Sequence, residues 1–304
     1  MSSHVIPADH GKGNGPRAVP RDYAEHRPSW RKRLGNTFRV KNELFRHMIA
    51  EFYGTFILMV FIESTVMSQA FAGRRDDAFF IAVAHGLSVT MAIYSCAGVS
   101  GAVLNPALNF AFALVGKLSW THALFYSFAQ YAGAFVASGV VYTVQYEAVN
   151  KFDGGVRQSF GENGSAAFYS TFPGEHHSVA SSFLHEMVCT ALLMSGVLSM
   201  ADEKNWKPHK GFIPVATGLL ITTILLAFGA NEGVGMNPAR DLSPRLFMLA
   251  AGYPLDVLSF WDYNYFWIPV VAPHVGAIVG ALTYTFFIEV QHPVRREDTP
   301  YYPQ

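Results

Sequence analysis

Two stretches of this chain decide how it folds: residues 99–109 read VSGAVLNPALN, and residues 231–241 read NEGVGMNPARD. Each contains the tripeptide Asn-Pro-Ala, followed by a short apolar piece that ends at a glycine. Asn is favoured just before the first turn of a helix, and Pro is favoured at the first helical position. The pieces from Pro106 to Gly116 and from Pro238 to Gly252 are too short to cross a bilayer. We therefore predict two re-entrant half-helices.

The two stretches belong to an internal repeat. A shift from position 105 to position 237 lays residues 80–109 on residues 212–241 without a gap, and eleven of the thirty pairs are identical. The first apolar span of each half also carries a glutamate, Glu51 in one half and Glu186 in the other. Unrelated apolar segments are not expected to hold one register through two motifs, so the chain is an internal duplication.

The composition is that of a membrane protein. Hydrophobic residues make up 51% of the 304 residues and charged residues only 14%, and the apolar residues gather into long runs. A helix needs about 20 apolar residues to cross the ~30 Å hydrocarbon layer. The runs predict spans at about 45–67, 78–98, 119–143, 180–201, 211–229 and 264–289.

The predicted fold class is an all-α membrane protein with six transmembrane helices plus two re-entrant half-helices in an inverted repeat. Each half has three spans, an odd number, so the second half is upside down relative to the first. Inverted repeats place a site near the mid-plane, where short helices meet. There the two half-helices aim their positive N-terminal ends at one point, and the side-chain amides of Asn105 and Asn237 offer hydrogen-bond donors.

The domain organisation follows from these spans. Residues 1–43, rich in Pro, Gly, Arg and His, are predicted to form a disordered tail. The channel-like domain is predicted at 44–290, with repeat 1 at about 44–146, an extracellular loop at 147–179, repeat 2 at about 180–290, and a C-terminal tail at 291–304.

Basic residues indicate which way the chain is oriented. The run from Trp30 to Arg33 stands beside the first span, and the loop at 202–210 carries three lysines. The positive-inside rule then places both termini in the cytoplasm. The loop at 147–179 lies outside, where Asn163-Gly164-Ser165 is a potential glycosylation sequon.

Several classes of function find no support in the sequence. The net charge of zero gives no indication of nucleic-acid binding. We find no nucleophile–base arrangement and no phosphate-binding glycine loop, so we expect no enzyme. Cys96 and Cys189 lie inside apolar runs and read as small buried residues. His176-His177 stands in a predicted loop without other ligands at metal-site spacing, so neither a metal nor a cofactor is expected.

The motifs together carry a resemblance to a known family. They are the two boxes Asn105-Pro106-Ala107 and Asn237-Pro238-Ala239, Ser100-Gly101, Arg240, Glu51 and Glu186. From Leu44 to Glu289 the chain resembles the aquaporins, or major intrinsic proteins. The resemblance implies a homotetramer in membrane lipid, in which each subunit has its own pore, narrowed at the boxes and again at an aromatic/arginine filter. The two glutamates are expected to accept hydrogen bonds from backbone N–H groups of the re-entrant loops.

One branch of the family is the better match. Asp241, Arg245, Pro269 and Phe172 stand where aquaglyceroporins usually carry an acid, a basic residue, a proline and an aromatic residue. The resemblance implies a passive channel that conducts water and small uncharged solutes, above all glycerol, and excludes ions and protons; the plasma membrane is the expected location.

The spacing of the family's filter falls on His85, Leu225, Val234 and Arg240 in this sequence. The Arg240 guanidinium is always charged and only donates, so it can bind hydroxyl groups while repelling cations. A ring of His, two aliphatic residues and Arg is also similar to plant vacuolar members, which pass ammonia and urea. A water channel that passes ammonia or urea and excludes glycerol is therefore the alternative.

Two further hypotheses stay open at this point. A coupled secondary transporter also uses inverted repeats and broken helices, and it would need Glu51 or Glu186 as an ion-binding carboxylate facing the path. The N-terminal tail, which holds Tyr23 and Ser29, is long enough to cover one mouth of the pore and regulate it.

Overall fold

A computed structural model describes residues 29–75, 77–174, 176–229, 233–260 and 263–293. The chain divides into two compact units, Met1–Lys41 and Asn42–Gln304. The second unit contains all of the predicted spans.

The first unit contributes one described element, helix α1 at Ser29–Phe38. It lies within residues 1–43, for which we predicted a mostly disordered tail. The helix begins just after Pro28 in the sequence, and its residues 31–34 are Arg, Lys, Arg and Leu, which are good helix formers. The rest of the predicted tail, residues 1–28, lies outside the described residues, as do residues 294–304 of the predicted C-terminal tail.

In its described part, the second unit consists of nine α-helices and a few short elements. The helices are α2 Glu43–Phe71, α3 Ala78–Ser100, α4 Pro106–Leu114, α5 Trp120–Val144, α6 Tyr146–Asp153, α7 Val179–Ala201, α8 Ile213–Phe228, α9 Pro238–Ala250 and α10 Ile268–Phe287. Single 3-10 turns lie at Ala166–Phe168, Leu255–Leu258 and Glu289–Gln291, and an antiparallel hairpin pairs β1 Ser259–Phe260 with β2 Tyr263–Asn264.

Five of the described helices, α2, α3, α5, α7 and α10, are long and apolar enough to cross a membrane. The remaining predicted span is α8, whose 16 residues give it a length of about 24 Å. It begins at Ile213, with Pro214 in its first turn, and is slightly shorter than predicted. The half-helices are α4, of 9 residues, and α9, of 13 residues. The arrangement is the predicted one of six spans and two half-helices.

Polar side chains fix the first residues of the long helices. The side chains of Asn42, Asp77, Ser119 and Ser178 each accept a hydrogen bond from a backbone N–H in the first turn of α2, α3, α5 and α7, respectively. These N–H groups have no partner inside their helix, so a cap at the end of an apolar run is strongly favoured.

The two repeats meet where α3 packs against α8. A Cβ atom added to Gly86 would lie 2.5 Å from the backbone oxygen of Gly218, and one added to Gly218 would lie 2.5 Å from the oxygen of Gly86. These distances are far below a van der Waals contact, so only glycine permits this approach. The two glycines are separated by the same interval as Asn105 and Asn237, and the contact is therefore symmetric between the repeats.

The loop predicted at 147–179 is folded rather than irregular. It contains α6, and Arg157 binds the Asp153 carboxylate at 2.8 Å. The side chain of Arg75, from the α2–α3 connection, donates to the carbonyls of Glu162 and Gly164 at 2.9 and 2.5 Å. These polar contacts stabilise the folded loop. Its short helix was not predicted, because the sequence of the loop has no long apolar run.

Candidate functional site

The two Asn-Pro-Ala boxes are bonded to each other. The Asn105 Oδ1 atom caps α4 by accepting from the Ala107 N–H at 3.0 Å, and the Asn237 Oδ1 atom caps α9 in the same way at 3.1 Å. The Asn105 Nδ2 atom donates to the Met236 carbonyl, and the Asn237 Nδ2 atom donates to the Leu104 carbonyl, both at 2.8 Å. Each amide has a second N–H, which remains available to a molecule passing between the boxes.

The residue before each box has an uncommon backbone conformation. Leu104 has a φ of 55° and Met236 a φ of 51°, both in the left-handed region that a branched or bulky residue rarely occupies. Their carbonyls are the two that accept from Asn237 and Asn105. The surrounding hydrogen bonds therefore hold a strained backbone at this point in both repeats.

The two predicted supporting glutamates hold these strained loops. Glu51 accepts from the backbone N–H groups of Val103 and Leu104 at 3.1 and 2.8 Å. Glu186 accepts from those of Gly235 and Met236 at 2.6 and 2.9 Å. Both carboxylates are fully buried, and each stands one helix away from its loop. An N–H left unpaired in a dry interior is costly, so these acceptors stabilise the loop conformation.

Sequence reasoning missed two further members of this network. Gln130 donates from Nε2 to Glu51 Oε2 at 2.7 Å, and Asn109 donates from Nδ2 to Gln130 Oε1 at 2.8 Å. Both residues are fully buried. The available signal was their polarity, because an amide side chain inside an apolar span needs a partner.

A central cavity of about 260 Å³ lies beside the boxes. One part of its lining is polar and comprises the side chains of His85, Asn105, Thr217, Asn237 and Arg240 together with the loop residues 101–104 and 234–236. The other part is aliphatic and includes Ile62, Val89, Leu193 and Ile221. A second cavity of about 370 Å³, which we call the loop vestibule, is lined by residues such as Arg75, Ile81, Thr171, Phe172 and Gly233.

The central cavity and the loop vestibule share four lining residues among those that the structure describes: His85, Leu225, Val234 and Arg240. These are the four residues that the family spacing assigned to the filter. Each is less than a tenth exposed. They therefore stand at the boundary between the two cavities.

Hydrogen bonds orient the two polar members of this boundary. The Nδ1 atom of His85 lies 2.9 Å from the Ile81 carbonyl one turn earlier, so it is the nitrogen that carries the proton, and Nε2 remains as an acceptor. Arg240 donates from Nη1 to the Tyr169 carbonyl at 2.8 Å. The boundary thus combines one cationic donor, one imidazole and two aliphatic side chains.

Asp241 and Arg245 support this boundary through bonds to Thr171. Asp241 accepts from the N–H and the hydroxyl of Thr171 at 2.8 and 2.6 Å, and it pairs with Arg245 Nε at 2.7 Å. Arg245 also donates to the Thr171 carbonyl and lies over the Phe172 ring at 4.5 Å. These bonds fix the segment that follows Tyr169, whose carbonyl holds Arg240. Asp241 and Arg245 are both fully buried. Removing either one would leave the other as an unpaired buried charge, which is strongly destabilising.

The sequence matches the family profile described as Major intrinsic protein over residues 39–284. The chain is a member of this family. Among its relatives, Aquaporin-8 of Milnesium tardigradum is 47% identical over 270 residues, which cover 89% of this chain and 79% of that protein. Aquaporin-9 of Homo sapiens is 39% identical over 274 residues, which cover 89% of this chain and 90% of that protein.

A solved structure shows the same major intrinsic protein fold. The X-ray structure of the aquaglyceroporin from Plasmodium falciparum matches with a TM-score of 0.73 and 31% identity, covering 81% of this chain and 97% of that chain. The predicted family and fold class are thereby confirmed. As a major intrinsic protein, the chain is an integral membrane channel for water and small solutes, and it is not an enzyme.

Proposed function

We propose that this major intrinsic protein is a passive channel that conducts water and glycerol and excludes ions and protons. The observation that carries the proposal is the boundary between the two cavities, formed by His85, Leu225, Val234 and Arg240. A polyol has hydroxyl groups along one side and a carbon chain along the other. Arg240 and the two box amides would bind the hydroxyl groups, while Leu225 and Val234 lie along the carbons.

Charge exclusion would rest on the same groups. Arg240 is a permanent cation. Both half-helices begin at the boxes, so their positive N-terminal ends lie there. Neither cavity has an Asp or Glu side chain among its described lining residues. A cation would therefore meet positive potential without a compensating carboxylate.

The lining also argues against a coupled transporter. Such a protein needs a carboxylate that binds and releases an ion along the path. Glu51 and Glu186 are the buried acids that bind the loops before the boxes, and both oxygens of each already accept a backbone N–H or a side-chain donor. They hold the loops, so neither oxygen pair is open to a travelling ion.

The proposal includes the setting of the channel. Basic residues between α7 and α8, among them Lys204, Lys207 and Lys210, favour a cytoplasmic position for that connection. Both termini would then be cytoplasmic, as would the ends at which α2 and α5 begin. The plasma membrane and a homotetramer, with one pore in each subunit, are proposed on the resemblance to the family. Crosslinking of the purified protein would test the tetramer.

Stopped-flow light scattering of proteoliposomes tests the transport proposal. Vesicles that contain the protein should show faster osmotic water flow and faster glycerol entry than empty vesicles. A matched Leu225→Trp variant should lose glycerol entry, because a larger ring would narrow the constriction. The proposal would be refuted if vesicles that contain folded wild-type protein showed the same water flow and glycerol entry as empty vesicles.

The alternative, a channel for water with ammonia or urea in place of glycerol, is supported by His85. An imidazole stands where aquaglyceroporins have a large aromatic residue, and Leu225 stands where they have a small one. The double variant His85→Trp, Leu225→Gly should raise glycerol entry relative to urea entry if this alternative holds. Rates of glycerol, urea and ammonia entry in the wild type decide directly between the two readings.

A further inference from the structure

Three potential metal ligands meet at the end of the bundle where α2 and α5 begin. They are Glu43 and His47, one turn apart on α2, and His122 in the first turn of α5. One ligand atom from each lies within 4.8 Å of the others. The two imidazole rings are 5.9 Å apart, and His47 Nε2 lies 3.9 Å from Glu43 Oε1. The cluster is well separated in sequence from the boxes and lines neither cavity among the described residues.

The hydrogen bonds of both histidines indicate which nitrogen is free to bind. His47 Nδ1 lies 2.8 Å from the Tyr126 hydroxyl, which in turn points at the Ser100 carbonyl at 3.5 Å. With its proton directed towards this carbonyl, the hydroxyl can accept the Nδ1–H of His47. His122 Nδ1 lies 2.7 Å from the Ser119 hydroxyl, whose oxygen also accepts the backbone N–H of His122. Each Nδ1 can thus donate to a hydroxyl oxygen, and in that tautomer Nε2 is the nitrogen with the lone pair.

This arrangement is typical of metal-binding histidines. A ligating imidazole usually donates its other N–H to a neighbouring oxygen, which fixes the ring and raises the basicity of the ligand nitrogen. Here two histidines have such partners, and a carboxylate completes the set. Two imidazoles and a carboxylate suit Zn²⁺, which takes a water molecule as its fourth ligand in sites of three protein residues.

The geometry points to a Zn²⁺ site formed by Glu43, His47 and His122, and we propose that the protein binds this ion there. Around a tetrahedral Zn²⁺ with bonds of about 2.0–2.1 Å, ligand atoms are about 3.4 Å apart. The present separations must therefore shorten by about 1.4 Å at most. The Glu43 side chain is 70% exposed and can move, whereas His47 is held by Tyr126 and is 16% exposed.

Binding at this site would join the first turns of two spans. The bond between His47 and Tyr126 brings the site close to Ser100, whose hydroxyl donates to Glu51 at 2.6 Å. Glu51 holds the loop that leads into the first box. The ion would therefore brace the helix ends beside this loop.

Calorimetric titration of Zn²⁺ into the purified full-length protein in detergent tests the proposal. Variants at the site are His122→Ala and Glu43→Gln, and His209→Ala, an exposed histidine in the α7–α8 connection, is the matched control. We expect one site in the wild type and in the control. We expect its affinity to fall at least tenfold in His122→Ala and to fall measurably in Glu43→Gln.

Glu43→Gln keeps the test decisive even if the histidine variant folds poorly, because the Glu43 side chain is 70% exposed. Equal Zn²⁺ affinity in the wild type, His122→Ala and Glu43→Gln would overturn the proposal and would mean adventitious binding by other histidines. The absence of any binding to the folded wild type would also overturn it. Neither result depends on which solutes the channel conducts, so the transport proposal is tested separately.

Discussion

At the scale of single residues, we expect the substitution of Arg240 to have the largest effect on the exclusion of cations. Its guanidinium is held at the boundary of the two cavities by the Tyr169 carbonyl. A unit charge about 6 Å away repels a cation by about 3 kcal/mol at an effective dielectric constant near 20. That energy corresponds to roughly a hundredfold lower cation concentration at the constriction.

Arg240→Val should therefore raise proton and cation leakage while water flow persists. We expect an increase on the order of tenfold or more in proton flux, measured with a pH-sensitive dye inside proteoliposomes. Lys210→Gln, which removes an exposed cation that lines neither cavity, is the control and should leave proton flux unchanged. A tight Arg240→Val pore would show that the half-helices alone exclude charge.

Glu51 offers a second residue-scale prediction, on stability. Its two oxygens accept from Ser100, Val103, Leu104 and Gln130. In Glu51→Gln an NH₂ group would replace one acceptor and face donors. The loss should be about 1–3 kcal/mol for the unpaired groups, seen as a lower unfolding temperature in detergent.

The control for Glu51→Gln is Glu43→Gln on the same helix without added metal. The Glu43 side chain is mostly exposed, so its replacement should change the unfolding temperature little. Equal effects of the two substitutions would contradict the role of Glu51 as the acceptor for the loop.

At the scale of helices, the contact of α3 with α8 depends on two glycines. Gly86→Ala would place a Cβ atom 2.0 Å from the Thr222 hydroxyl and 2.5 Å from the Gly218 carbonyl. The helices would have to move apart, which should destabilise the fold by about 1–3 kcal/mol or more. Thermal unfolding of the purified variant measures this.

Gly98→Ala on the same helix is the matched control. An added Cβ atom at Gly98 has nothing within 4 Å. Alanine is the better helix former by about 1 kcal/mol, so this substitution should be neutral or slightly stabilising. A loss of stability in Gly98→Ala as large as in Gly86→Ala would argue against close helix approach as the cause.

The helices that sequence predicts well are those with local signals. Asn105 and Asn237 are caps followed by proline, and α4 and α9 begin one residue later, as expected. The boundaries of the last span differ: it was predicted from 264 but begins at Ile268, because residues 263–264 belong to the hairpin. A hairpin of two residues per strand has too little pattern to be predicted.

The candidate site was predictable only in part. The spacing from the boxes led to His85, Leu225, Val234 and Arg240, which share the boundary of the cavities. The partner of Arg240 is a backbone carbonyl, and every residue has one, so the sequence contains no signal for Tyr169. His47 and His122 belong to different spans, and only the packing of α2 on α5 brings them together.

At the scale of the whole molecule, the chain divides into one unit at Met1–Lys41 and a second unit that contains the helices of the bundle. A chain that lacks residues 1–40 should therefore keep its unfolding temperature, because no span, cap or box is removed. The measurement is thermal unfolding of the truncated and full-length proteins side by side. A marked drop would contradict the independence of the second unit.

The same truncated chain tests regulation by the tail. Water flow equal to that of the full-length protein would exclude a tail that closes the pore. Faster flow would identify the segment as a gate. Because the two proteins differ only before the first span, a difference in flow between equally stable samples has no other structural source.

The mutual hydrogen bonds of the boxes have an evolutionary consequence. The Asn105 side chain donates a hydrogen bond to the carbonyl of the residue before Asn237, and the Asn237 side chain donates one to the carbonyl of the residue before Asn105. Each half thus supplies one donor and one acceptor at equivalent positions, which makes the junction self-complementary. Two copies of a three-span ancestor, inserted in opposite directions, would have satisfied the same bonds. Fusion of the two copies into one chain would then have required no new contact between the boxes.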